Sequence, residues 1–118
     1  MSFATDPVQS VLHSALDGLA LRQRVIADNI ANVDTPGFRA TSVDFESSLQ
    51  SAIADGSITQ GRVTPQTAPT DTPVGVNGNN VDLRKESLSA MQSQFQYQMV
   101  TRSVTDRLDL VKNVVAGQ

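Results

Sequence analysis

Two long stretches with helical hydrophobic spacing flank a middle that has none. From residue 12 to 33 the chain repeats Leu12, Leu16, Leu19, Ile26, Ile30 and Val33, in steps of four and three interrupted only by Gln23. That alternation is the period of a coiled-coil seam. Asp6-Pro7 supplies the start, with Asp as N-cap and Pro in the first helical position. A weaker stripe of Val11, Gly18, Leu21 and Val25 runs along another side. A helix apolar on two sides expects neighbours on both. Gly18 costs about 1 kcal/mol relative to Ala in a helix interior. It is either simply tolerated or marks the close approach of another helix.

The second stretch begins after Gly78-Asn79-Asn80, residues that tolerate positive φ, with Asp82 as N-cap. A helix is predicted from about Leu83 to Val115, carrying Leu88, Met91, Phe95, Met99 or Val100, Val104, Leu108, Val111 and Val115. Successive four-residue steps unwind this seam relative to a strict heptad. Gln92, Gln94, Gln96 and Gln98 alternate with Ser93, Phe95 and Tyr97 as a strand would. The alternation is brief, Gln favours helix, and helical spacing continues on both sides. Gly117 is expected to end the helix. Leu88, Met91, Phe95, Val104, Leu108 and Val111 are assigned to the same intrachain seam as the six apolar residues of the first helix.

Residues 34–80 hold four of the five prolines and five of the seven glycines. Asp34-Thr35-Pro36-Gly37 should stop the first helix. Pro36 lacks an N–H and pushes Thr35 out of the α region. Pro-Gly favours a type II turn, and Asp34 can bond forward to the backbone. Phe38 is then the first large apolar group able to fold back. Val43, Phe45, Leu49 and Ile53 predict one short helix over roughly 43–54. Pro65, Pro69 and Pro73 forbid a continuous helix beyond it and discourage a central strand; Ile58–Val63 has weak strand character. The plan is mainly α: two long antiparallel terminal helices forming a coiled-coil-like pair (1–33 and 81–118), and an irregular middle (34–80) with one short helix.

Composition narrows the function. The 118 residues include one Tyr, four Phe and no Trp, and 39% are hydrophobic, so a large self-contained core is not expected. Shielding both helices then calls for further copies of the chain. Nine basic and twelve acidic residues give a net charge of −3 with no basic stripe, which argues against nucleic acid as a partner. No run approaches the length of a membrane span. MSFATDPVQS has neither a basic region nor an apolar run, so no cleaved signal is expected. Without Cys there are no disulfides or thiolate metal sites.

No group of residues converges on chemistry. His13 is the only histidine and reads as an exposed helix residue. Asp28, Asn29, Asn32 and Asp34 lack calcium-loop spacing and read as caps. Gly75 and Gly78 lack a following Lys-Ser/Thr pair. Asp44 and Glu46 would face different sides of a helix. No catalytic, metal or cofactor residue is assigned, and an enzyme is not expected.

Two blocks carry a family resemblance: LALRQRVIADNIANVDTPGFRA over Leu19–Ala40, followed by Val43-Asp44-Phe45-Glu46, and GNNVDLRKE over Gly78–Glu86, leading into FQYQMVTRSVTDRLDLVKNVV. They resemble the bacterial flagellar axial proteins (rod, hook and hook-associated subunits). Within these the likeness is to the basal-body rod proteins of the proximal type. With Leu12–Gly18 it covers most of the chain outside residues 55–77. The resemblance implies a structural subunit whose terminal helices pack with many others into a tube that transmits torque and carries the export channel. It implies passage through the flagellar type III export apparatus without a cleaved signal, and a place in the periplasmic rod of the basal body. The implied partners are copies of itself, other rod subunits, the adaptor at the rod base, and the export gate or membrane ring. Leu21, Val25, Leu110 and Val114 become candidates for packing between subunits, Asn29 and Asn32 for register where helices meet, and Asp34–Phe38 for the exit angle of the middle. The alternatives are a free-standing helical-hairpin adaptor or secreted protein, or another axial protein. An adaptor would stop at a small closed oligomer, where a rod subunit adds to an open lattice.

Overall fold

A computed structural model describes residues 6–61 and 63–116; Gly117, expected to end the last helix, lies outside them. In chain order come α1 (Pro7–Ala31), β1 (Thr41–Asp44), α2 (Glu46–Ala54), a 3-10 turn (Ser57–Thr59), β2 (Gln66–Pro69) and α3 (Leu83–Val115). Both long helices start on an aspartate. Asp6 accepts from the Val8 N–H at 3.0 Å, and Asp82 from the Lys85 N–H at 3.1 Å. Glu86 in the first turn of α3 and Lys112 in the last complement its dipole. At 1.5 Å per residue, α3 is about 50 Å long and α1 about 37 Å.

Two contacts make the long helices antiparallel. Near one end Asn29 bonds to Glu86 at 3.1 Å; at the other Arg107 pairs with Asp6. The slab measures 65 × 27 × 15 Å with a radius of gyration of 17.8 Å, against about 13–14 Å for a compact chain of this length.

The middle segment folds onto α1 beside that pairing: Asn29 reaches both Thr41 and Glu86, and Val100 of α3 packs against the same cluster as Val43 and Phe45. β1 and β2 pair antiparallel, Thr41 opposite Pro69 and Asp44 opposite Gln66. Val43 lies in β1, so the short helix begins later than the sequence pattern predicted. The Asp44 carboxylate accepts the Ser47 N–H at 3.0 Å, which fixes that start. Ile58 is buried in the 3-10 turn, not in a strand. The second strand falls instead at Gln66–Pro69, where prolines were expected to oppose one; it is an edge strand, which tolerates them. The Thr70 N–H reaches the Ala40 carbonyl at 3.1 Å, so by alternation Thr67 and Pro69 turn their backbone groups outward. At Pro69 that outward group has no N–H to offer.

Both outward groups of Thr41 and the outward carbonyl of Val43 are taken by α1. Asn29 donates to the Thr41 carbonyl at 2.8 Å and accepts the Thr41 N–H at 3.3 Å. Arg22 donates to the Val43 carbonyl at 2.7 Å. Leu19, Val43 and Phe45 form the buried cluster, with Ala15, Leu21, Val25, Leu49 and Val100 against it. The second stripe of α1 is therefore covered by its own chain. Gly18 admits not another helix but the Phe45 ring: a Cβ there would lie 2.3 Å from the ring's Cγ.

The packing of α3 corrects the sequence expectation. Its less exposed residues are Glu86, Ser89, Ala90, Ser93, Val100, Val104, Arg107 and Val111. Leu88, Met91, Phe95 and Leu108, assigned to the intrachain seam, are exposed. The helix is turned so that Glu86, Ser89, Ala90 and Ser93 face inward along its first half and the large apolar side chains face out. Ser93 is wholly buried, and its hydroxyl has no hydrogen-bond partner among the described residues.

Candidate assembly interface

Two turns lock together where α1 ends and α3 begins. In the first, the Phe38 N–H returns to the Thr35 carbonyl at 3.2 Å, and Gly37 sits at φ 77°, as a type II turn over Pro36-Gly37 requires. Asn32 caps α1: its side chain donates to the Asp28 carbonyl at 2.8 Å and accepts from the Thr35 hydroxyl at 3.0 Å. In the second turn the Gly78 N–H reaches the Gly75 carbonyl at 3.0 Å, and Gly78 has φ 80°.

Backbone and asparagine side chains join the two. Gly37 N–H donates to the Asn77 carbonyl at 2.9 Å. Asn79 donates to the carbonyls of Asn32 and Thr35, both at 2.8 Å. Asn80 accepts the Ala40 N–H at 2.6 Å. A Cβ on Gly78 would sit 3.2 Å from the Gly37 Cα, so the turns touch backbone to backbone. Asn79 and Asn80 are buried and, unlike Gly78, do not take positive φ. Their role as ties across 40 residues was missed; the only signal was a pair of amides beside the Asp82 cap.

The residues expected between subunits divide. Leu21 and Val25 pack against the chain's own cluster. Asn29 is buried and fully used by Thr41 and Glu86, and Asn32 is used as the α1 cap. Leu21, Val25 and Asn32 remain half-buried, and Asn29 is buried. Leu110 and Val114 do stand exposed. Of the α1 seam, Leu19 and Ile26 are buried, while Leu12, Leu16, Ile30 and Val33 are half-buried.

Outward-facing α3 is the larger finding. Leu88, Met91, Phe95 and Met99 recur in steps of three and four at 56, 70, 64 and 57% exposure. Large apolar groups in such a row mark an interaction surface.

Charges brace the scaffold beneath. Arg22 grips Glu46 through both carboxylate oxygens, at 2.6 and 2.9 Å, and lies 4.6 Å over the Phe45 ring. Hydrogen bonding from Arg22 holds the Glu46 carboxyl below its ordinary range. Arg107 does the same for Asp6. Among the described residues no three His, Cys, Asp or Glu side chains converge as a metal site would require, and no helix is long and apolar enough to cross a membrane.

The family model described as "Flagella basal body rod protein" matches residues 10–39, which hold most of α1 and the first turn. The chain is 35% identical to the flagellar basal body rod protein FlgB of Bacillus subtilis, with 99% of this chain and 98% of that protein aligned. The chain belongs to the FlgB family of flagellar basal-body rod proteins. FlgB of Escherichia coli is 32% identical over 86% of this chain and 87% of its own length. FlgB of Borreliella burgdorferi is 33% identical over 75% and 81%. As a FlgB-family subunit the chain is a structural component of the basal-body rod, not an enzyme. A subunit of the rod is assembled with other rod subunits.

Proposed function

We propose that this rod subunit polymerises through the outer face of α3, with the clasp holding α1 and α3 in the pose that presents it. The observation that carries this reading is the row Leu88, Met91, Phe95 and Met99, left in water by a chain that buries smaller residues. Leu110 and Val114 extend the row. On this reading residues 1–33 and 81–118 are the axial segments and 34–80 a bracket between them. The axial segments pair as a coiled coil through the inward four-three positions of α3.

The subunit takes its place in the periplasmic part of the rod after export without a cleaved signal. It contacts the adaptor at the rod base and the export gate or membrane ring, and it relays torque along a tube with an open channel. Met91→Asp with Phe95→Asp tests the central claim. The expected result is unchanged helix content in the dilute chain and loss of rods when it replaces the resident subunit in cells. Normal rods from the double variant would refute it.

A further inference from the structure

We propose that α3 of one copy docks on α1 of the next copy, antiparallel, in a register that sets Asp106 on Arg24 and Arg102 on Asp28. This rests on the rod reading and goes further by naming both faces of the contact. The side of α1 that neither α3 nor the middle segment covers carries Arg24, Ala27, Asp28 and Ala31, all exposed. The outer side of α3 carries Met99, Arg102, Asp106 and Leu110, also exposed.

Direction follows from symmetry. Copies in an open helical array all run the same way. Because α1 and α3 are antiparallel within one chain, α3 of one copy and α1 of its neighbour are antiparallel too. A contact between two different faces leaves one of each unused at the ends, so the array keeps growing. A contact of α3 with α3 about a two-fold axis closes a pair and stops.

Register follows from charge. Both faces read Arg then Asp four residues on, so antiparallel alignment matches opposite signs at both places. A slip of one turn sets Arg24 on Arg102 in one direction and Asp28 on Asp106 in the other. Like charges at an interface select against both slips. The same alignment lays Met99 over Ala31 and Leu110 over Ala20, long side chains over short ones, as helix packing favours. One turn further on, Phe95 reaches the level of the neighbour's Thr35–Gly37 turn.

The chain has no cysteine, so disulfide trapping reads the contact directly. Ala31→Cys chains mixed with Met99→Cys chains are expected to cross-link between copies. Met99→Cys mixed with Asp109→Cys, which only a closed α3 pair brings together, is not. Arg24→Asp is expected to weaken self-association roughly tenfold, and adding Asp106→Arg to restore it. The reverse cross-linking pattern, or association indifferent to Arg24→Asp, overturns the proposal. Rods restored in cells by the cysteine variants, without a 31–99 cross-link in isolated basal bodies, would sink the docking and leave the rod reading standing. Failure of the unaltered chain to restore rods would strike the rod reading alone, since trapping of the purified chain decides the docking.

Discussion

Replacing Gly18 with Ala sets two effects of opposite sign against each other. Helix propensity favours Ala over Gly by about 1 kcal/mol in a helix interior. Against it stands the Phe45 side chain: a Cβ at residue 18 would lie 2.3 Å from Cγ and 2.7 Å from both Cβ and Cδ1. Carbon atoms are comfortable at about 3.5–4.0 Å. Because Phe45 Cβ is among the crowded atoms, rotating the ring tip does not relieve the overlap, and the base of the side chain has to shift. The ring is buried with Leu19 and Val43 and lies under the Arg22 guanidinium, so moving it disturbs the buried cluster that joins β1 to α1. Overpacking of this kind costs about 1–3 kcal/mol, and overlap with three atoms puts it in the upper part of that range. The net expectation is a loss of about 1–2 kcal/mol, or about 4–8 °C in melting temperature for a domain this size. Thermal unfolding followed by circular dichroism on the dilute chain measures it. Phe45→Leu should cost less in the Gly18→Ala background than alone, because the shorter side chain relieves the overlap. A Gly18→Ala chain that melts higher than the original would show that propensity wins and that the ring does not sit where this reasoning needs it.

Four further outcomes follow from the same contacts. Asn29→Ala strips the Thr41 N–H, the Thr41 carbonyl and Glu86 of a buried partner; a loss of about 2–4 kcal/mol is expected in urea unfolding, and Asn29→Asp should not restore it. Ser93→Ala removes a buried hydroxyl without a partner among the described residues, so stability should hold or rise by about 1 kcal/mol; a fall of that size would show that the hydroxyl has a partner. Glu46 and Asp6 have folded-state pKa values below their ordinary 4.5 and 3.8, so their contribution is present above those values and is lost as pH falls through the lower folded ones. Arg22→Gln should flatten the acid limb of the pH–stability curve, and an unchanged limb would count against the Arg22 pairing. Pro36→Ala with Gly37→Ala should impair rod assembly more than export, seen as secreted subunit without rods; normal rods would refute the clasp's role.

The ends of this fold were legible in the sequence because capping and turn chemistry is local. Asp6, Asp82 and Pro36-Gly37 act within four residues of themselves, and each did what its neighbours in sequence implied. The middle was less legible. Val43 belongs to a strand because the Asp44 cap and the pairing with Thr67 outrank a helical spacing of four. The orientation of α3 was misjudged for a deeper reason. Hydrophobic periodicity says which side of a helix avoids water, not whether its own chain or another copy will cover it. In α3 the strongest stripe faces outward, while Ser89, Ala90 and Ser93, weak by any hydropathy count, face α1. The clasp was hidden because Asn79 and Asn32 are far apart in sequence and amides carry no periodic signature.

The proline at position 69 has a consequence for how such a part is stored and delivered. A molecule meant to join others at high local concentration runs the hazard of joining them wrongly, and a bare sheet margin is the usual place where amyloid-like stacking begins. Here that margin is four residues long, lacks a donor at one of its two outward positions, and stands opposite a strand whose other side α1 has already sealed. Growth by backbone ladder is thereby disfavoured at that margin, which leaves the helix faces freer to set the order of the polymer if they carry the contacts proposed above.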